Sequence, residues 1–214
     1  MIALVSCGGD KKPAIDAPPD SPPTLDCTTY CSEIQANCTG ANAQYPNMDQ
    51  CMATCASFAV GTSKVTDTSG NTLGCRINDA VAASTMAATQ CPHAGPAGDL
   101  IPADVPAFCS GGDVCMSFCT LEIMACGSLD APLPGNPKDD TGNPLFQYVN
   151  LANCTNLCHA WDKTHTYSTT SMGDSLACRL NAATSAALSV TSGKTYCAYT
   201  ADFPTGACAG TASP

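Results

Sequence analysis

Apolar residues and cysteines recur at helical spacing along most of the chain. After Asp26, the positions Cys27, Tyr30, Cys31, Ile34 and Cys38 fall at i, i+3, i+4, i+7 and i+11. Such positions share one helical face, and Asp26 is a suitable N-cap. A second helix is predicted with Cys51, Cys55 and Phe58 on one face. A third starts near Asn71/Thr72 and places Leu73, Ile77, Ala80, Val81 and Ser84 along one side. It continues through alanine-rich sequence, which favours helix, and is expected to end before Pro92. The pattern then repeats: Cys115, Phe118, Cys119 and Cys126; Leu151, Cys154, Cys158 and Trp161; Leu176, Leu180, Ala183 and Ala187. Asp113 and Asp174 are the expected caps of the first and last of these. The segments Cys91–Cys109 and Cys197–Cys208 are rich in Pro and Gly and read as irregular.

The repeat is clearest in the cysteines. One block has them at 27, 31, 38, 51, 55, 75, 91 and 109, and the other at 115, 119, 126, 154, 158, 178, 197 and 208. In both, the first two are separated by three residues, the next by six, the fourth and fifth by three, and the fifth and sixth by nineteen. The text around the sixth also matches, Asn71-Thr72-Leu73-Gly74-Cys75-Arg76-Ile77-Asn78 against Asp174-Ser175-Leu176-Ala177-Cys178-Arg179-Leu180-Asn181. An eight-cysteine module has been duplicated. The expected fold class is all-α, two tandem disulfide-stapled three-helix modules with irregular loops. The expected domains are 26–110 and 111–210, preceded by a tether at 8–25 and a signal remnant at 1–7.

Cysteines four apart share a helical face. Two antiparallel helices that each carry C-x3-C can be joined by two nested bridges, outer to outer and inner to inner. This predicts Cys27–Cys55 and Cys31–Cys51, then Cys115–Cys158 and Cys119–Cys154. With two bridges fixed per module, three pairings of the other four cysteines remain open. The favoured set is Cys38–Cys75 and Cys91–Cys109, then Cys126–Cys178 and Cys197–Cys208. The hairpin resembles the twin C-x3-C hairpins of small intermembrane-space chaperones and of plant α-hairpinins. That likeness implies geometry and no activity.

The N-terminus changes the picture of location. Leu4-Val5-Ser6-Cys7 has the form of a bacterial lipoprotein signal's end, with Cys7 as the lipidated residue, although the basic region and most of the apolar region that normally precede it are missing. Residues 8–25, rich in Pro and Asp, form the expected disordered tether. Cys7 is also the cysteine left over when the other sixteen are grouped. The lipobox, the tether, Asn37-Cys38-Thr39-Gly40-Ala41-Asn42-Ala43-Gln44-Tyr45 and Cys91-Pro92-His93-Ala94-Gly95-Pro96 together resemble cysteine-rich surface lipoproteins of myxobacteria-like bacteria. That resemblance spans most of the chain and implies display on the cell envelope, through an acyl anchor on Cys7. Seventeen cysteines in 214 residues fit an oxidising compartment. A net charge of −10, with only eight Lys and Arg, argues against nucleic acid and against electrostatic docking on an anionic membrane.

Candidate chemistry is sparse. C-x3-C pairs could hold zinc, but the even count and helical phase favour bridges, so neither metal nor other cofactor is expected. There is no C-x-x-C, G-x-S-x-G, H-E-x-x-H or P-loop in the sequence. His93 reads as a turn residue, His159 as a partly exposed helix residue next to Trp161, and His165 as part of a Thr/Ser-rich connection. Asp67–Asn71 and Asp139–Asn143 are oxygen-rich turns without EF-hand spacing. Arg76 and Arg179 hold the same place in both modules, which suggests an ion pair or carbonyl cap. The sequons at Asn37 and Asn153 are taken as accidental. Function is expected to reside in loops, above all the insertion at 127–148. The chain is thus expected to be a non-enzymatic envelope lipoprotein that binds an extracellular or envelope protein or a glycan, or serves a structural role. Alternatives are a secreted inhibitor presenting 127–148 and 91–109, and a hydrolase using carboxylates between the modules.

Overall fold

The computed structural model describes residues 25–61, 67–98, 109–132, 138, 141–142 and 144–211. Among them are seven α-helices and no β-strand: α1 Cys27–Asn37, α2 Met48–Cys55, α3 Leu73–Ala94, α4 Val114–Cys126, α5 Leu151–Cys158, α6 Leu176–Ala186 and α7 Val190–Tyr196. None is long and apolar enough to cross a membrane. Cys7 and residues 8–24 of the tether lie outside the described residues, as do residues 99–108.

Each helix starts where a short polar side chain satisfies a free backbone N–H. Asp26 accepts from Thr29 N at 2.7 Å, Asn47 from Gln50 N at 2.9 Å, and Asn150 from Asn153 N at 3.0 Å. Thr72 and Ser175 do the same for Cys75 N and Cys178 N. The cap of α6 is therefore Ser175 and not Asp174, whose carboxylate instead meets the Arg179 guanidinium at 2.6 Å.

The third helix expected in the first module is two helical segments, and in the second module the expected helix, α6, is followed by a further one, α7. In α3, Met86 has non-helical angles (φ −136°, ψ 51°), and the chain turns before resuming towards Ala94 with Pro92 inside the run. The matching position in the second module, eleven residues after its sixth cysteine, is Ser189, which caps α7. The first segment of α3 runs beside α1 in the same direction. Leu73 N bonds Ala59 O near the start of α1, and Asn37 at its end donates to Ala80 O. The second segment returns antiparallel, so that Ala94 O accepts from the Tyr30 hydroxyl at 2.6 Å.

This return path decides the disulfides. The hairpin bridges are Cys27–Cys55, Cys31–Cys51, Cys115–Cys158 and Cys119–Cys154, as the helical phase requires. The other four differ from the favoured set: Cys38–Cys91 and Cys75–Cys109, then Cys126–Cys197 and Cys178–Cys208. Cys75 lies in the first turn of α3, beside the start of α1. Cys38 caps the far end of α1, roughly 16 Å away at 1.5 Å per residue. A bridge needs Cα atoms within about 7 Å. The returning segment carries Cys91 to Cys38, leaving Cys75 for the irregular tail. Gly98 (φ 64°) lets that tail double back, because a Cβ there would land on the Cys109 carbonyl.

Two main clusters of buried side chains correspond to the two repeats. One is built on Tyr30, Ile34, Tyr45, Leu73 and Ile77, and the other on Phe118, Leu121, Tyr148, Leu176 and Leu180. Their aromatics repeat too. Tyr30 meets Tyr45 and Phe58 edge to face, and Phe118 meets Trp161 in the same way. Over each of the last rings lies a fully buried guanidinium, Arg76 at 4.0 Å from Phe58 and Arg179 at 4.2 Å from Trp161. Arg76 donates to the Cys109 and Pro96 carbonyls, and Arg179 to those of Ser175, Ala201 and Asp202. The retained arginines are carbonyl caps that hold the irregular tail of each module against its aromatic core.

Candidate functional site

A cleft of about 580 Å³ opens on the second module, lined by Thr164, His165, Thr166, Ser168, Thr170, Ser171, Met172, Ser175 and Ala177. Its wall is the long connection between α5 and α6, which has no regular secondary structure. Loops of this length in a compact fold are uncommon unless functional or disordered. This one is fixed along its whole course. Asp162 O accepts from Leu176 N at 2.9 Å, closing the loop's two ends onto each other. Gly173 N bonds Ala207 O and Asp174 N bonds Gly210 O, tying it to the C-terminal tail that Cys178–Cys208 holds in place. Asn181 Nδ2 donates to Thr169 O, and the buried Tyr167 hydroxyl donates to Gln44 O of the first module.

Within the loop, Asp162 organises the polar groups. Its carboxylate accepts from the backbone N–H and hydroxyl of Thr164, at 2.8 and 2.7 Å, and lies 2.9 Å from His165 Nδ1. The Thr164 bonds, backbone first, hold the Asp162 carboxyl below the usual range, with His165 adding to them. With Nδ1 engaged, Nε2 is the ring nitrogen left for other partners. The serines at 168 and 171 bond each other through their hydroxyls and Ser168 N. Hydroxyls can donate and accept at once. No carboxylate and no cationic Lys or Arg is among the lining residues.

The other candidates lie elsewhere. His93 is buried near the end of α3. His159 is exposed, with Nε2 3.1 Å from Asp113 Oδ2, the cap of α4. Two clusters bring potential ligands together, Cys75/Asp79/Cys109 and Asp113/Cys115/His159. Their sulfurs are all in bridges, so they offer no thiolate. Asp67 takes a structural bond from Asn78 through its carbonyl. Residues 139, 140 and 143 of the second oxygen-rich turn lie outside the described residues. The base of the 127–148 insertion is pinned by Leu129 N to Tyr148 O, Asp130 N to Val149 O, and Asn150 Nδ2 to Asp130 Oδ2 at 2.8 Å. Both sequon asparagines are engaged in the fold, Asn37 with Ala80 O and Asn153 with Val149 N.

One buried group escaped the sequence analysis. Glu122 on α4 is fully buried, and neither carboxylate oxygen is hydrogen-bonded. The nearby Thr200 hydroxyl donates to Cys197 O at 2.7 Å, which spends its only proton. Burial pushes the Glu122 carboxyl up to about 8. By its place three residues after Cys119, Glu122 stands where the first module has Ile34, three after Cys31. The order Glu33-Ile34 against Leu121-Glu122 was the available signal.

Eight disulfides among the described residues mark an extracellular or envelope protein. No curated protein and no solved structure matches the chain. Residues 24–118 are similar to the BfoA family C-terminal domain. That match supports a cysteine-rich bacterial protein and covers the first module and the start of α4, leaving the cleft beyond its end.

Proposed function

We propose that this chain is a non-enzymatic envelope lipoprotein, held by acyl chains on Cys7 and displaying two stapled helical modules that bind an extracellular or envelope partner. The observation that carries this is the use of the bridges. They pin irregular segments as well as helices, and so hold a long, polar, exposed loop in one shape around a cleft. Such rigidity favours binding, because little conformational freedom is lost when a ligand is engaged. The buried charged side chains serve the fold: Arg76 and Arg179 cap carbonyls rather than face the cleft. The aromatic fraction of only 6% makes cross-links a needed substitute for core volume.

The test is fractionation of cells producing the full-length precursor, with and without Cys7→Ser. The intact protein is expected in the envelope fraction with all sixteen remaining cysteines oxidised under non-reducing mass spectrometry. The C7S variant is expected to be released in soluble form. Free thiols at the C-x3-C pairs, or envelope retention that does not depend on Cys7, count against the proposal.

A further inference from the structure

We infer that the cleft between residues 164 and 177 is a binding site for a neutral, polyhydroxylated ligand, a saccharide unit. This deepens the proposed binding role and rests on it. The volume of about 580 Å³ lies in the range of small-molecule sites. Six of the nine lining residues carry a hydroxyl, Thr164, Thr166, Ser168, Thr170, Ser171 and Ser175, and their methyl and methylene groups with Met172 and Ala177 supply apolar surface between them. Thr164 Oγ1 already donates to Asp162 and the buried Ser175 Oγ caps α6, which leaves Thr166 and the mutually bonded hydroxyls of Ser168, Thr170 and Ser171 to exchange hydrogen bonds with sugar hydroxyls, each group able to donate and accept.

Charge excludes the main rivals. An anion would meet no lining Lys or Arg, on a chain with a net charge of −10. A metal cation or polyamine would meet no carboxylate among the lining residues, and the nearby Asp162 carboxylate is already taken by Thr164 and His165. Either would leave water without a compensating charge. The imidazole of His165, fixed through Nδ1 by Asp162, supplies Nε2 as the one stronger polar atom. Met172, 59% exposed at the rim, offers a polarizable apolar surface for the C–H face of a sugar ring. The frame is already paid for by Tyr167, Asn181, Gly173 and Asp174, so binding requires no folding of the loop.

The experiment is an amide chemical-shift titration of the oxidised protein with glucose, galactose and N-acetylglucosamine. Sodium sulfate and spermidine serve as charged counter-probes. At least one saccharide is expected to move the amides of 164–177 in a saturable way, and neither counter-probe is. His165→Ala and Thr166→Val are each expected to weaken that saccharide about three- to tenfold, the worth of one lost hydrogen bond. Thr166 is exposed, so T166V tests the site even if H165A perturbs the loop. The inference is overturned if no saccharide shifts these amides, if shifts map elsewhere, or if sulfate or spermidine binds there equally well. Those outcomes leave the scaffold proposal standing when the sixteen cysteines are oxidised and the protein fractionates with the envelope. Free thiols in the same sample would sink the scaffold proposal instead.

Discussion

Glu122 and Arg179 are the two residues of the second module whose charge state the fold must manage, and it does so in opposite ways. The Arg179 guanidinium is fully buried yet satisfied by three carbonyls, by Asp174 and by the face of Trp161. Removing it uncovers several acceptors at once, so Arg179→Met is expected to cost about 3–5 kcal/mol in a denaturant titration. Arg179→Lys is expected to recover little of this, because an ammonium lacks the planar fork. Glu122, by contrast, has no hydrogen bond, and burial raises its carboxyl from 4.5 to about 8. It is therefore neutral in the fold at neutral pH and ionised in the unfolded chain. A raised carboxylate pKa means that the folded state holds the extra proton. Its contribution is fully present below about 4.5 and is lost as pH rises through about 8. Glu122→Ile, which installs the residue of the first module, is expected to flatten that loss. The stability gap between variant and parent should widen by a few kcal/mol from acid to mildly alkaline pH. A gap that does not change with pH would show that Glu122 is not a buried acid.

The elements were legible to different depths, for physical reasons. The hairpins were readable because two C-x3-C helices allow one nested set of bridges that respects helical phase. The caps at Asp26 and Asp113 were readable because capping is local. Arg76 and Arg179 were readable as the site of an ion pair or carbonyl cap because a duplication with few basic residues had kept them; both cap carbonyls, and Arg179 also pairs with Asp174. The break at Met86 was not, since the alanine-rich sequence around it favours continuous helix, and α7 beyond Ser189 was not, since Val190-Thr191-Ser192-Gly193 is poor helix-forming sequence. Missing the break and the added helix misassigned four bridges. The cleft was hidden for a related cause. Its wall closes only when Ala207 and Gly210 arrive from the C-terminal tail, a contact that no local pattern announces. Non-reducing peptide mapping is expected to recover Cys38 linked to Cys91 and Cys126 linked to Cys197. A Cys38–Cys75 peptide would refute the return path. Replacing both members of Cys126–Cys197 by Ala is expected to cost about 2–5 kcal/mol, read from the thermal midpoint with the other bridges intact.

At the scale of the whole molecule, the two repeats are joined by few but well-placed contacts. Gln50, the buried residue before Cys51 on α2, donates through Nε2 to the Thr184 hydroxyl at 2.7 Å and to the Ser185 hydroxyl at 3.2 Å on α6. Both hydroxyls donate in turn to Asn181 O, so the seam is a short polar network with its donors in use. Tyr167 adds its bond to Gln44 O from the cleft loop, and Ala97, from the tail of the first module, is buried within the cluster of the second. The cleft is thereby coupled to the first module, although the first module contributes no lining residue. Gln50→Ala with Tyr167→Phe removes the side-chain hydrogen bonds of this seam while leaving every bridge in place. At roughly 0.5–1.5 kcal/mol for each of the three lost bonds, the pair is expected to cost about 1.5–4.5 kcal/mol. Because the loss falls on the seam and not on either core, the parent is expected to unfold in one calorimetric transition and the double variant in two. Hydrogen exchange at Thr166–Ser171 should quicken in the variant while the core amides around Cys119 and Cys154 stay protected. A single transition lowered as a whole would mean that Ala97 and the backbone suffice to couple the modules. The polar seam would then serve the orientation of the cleft loop and not the cooperativity of the fold.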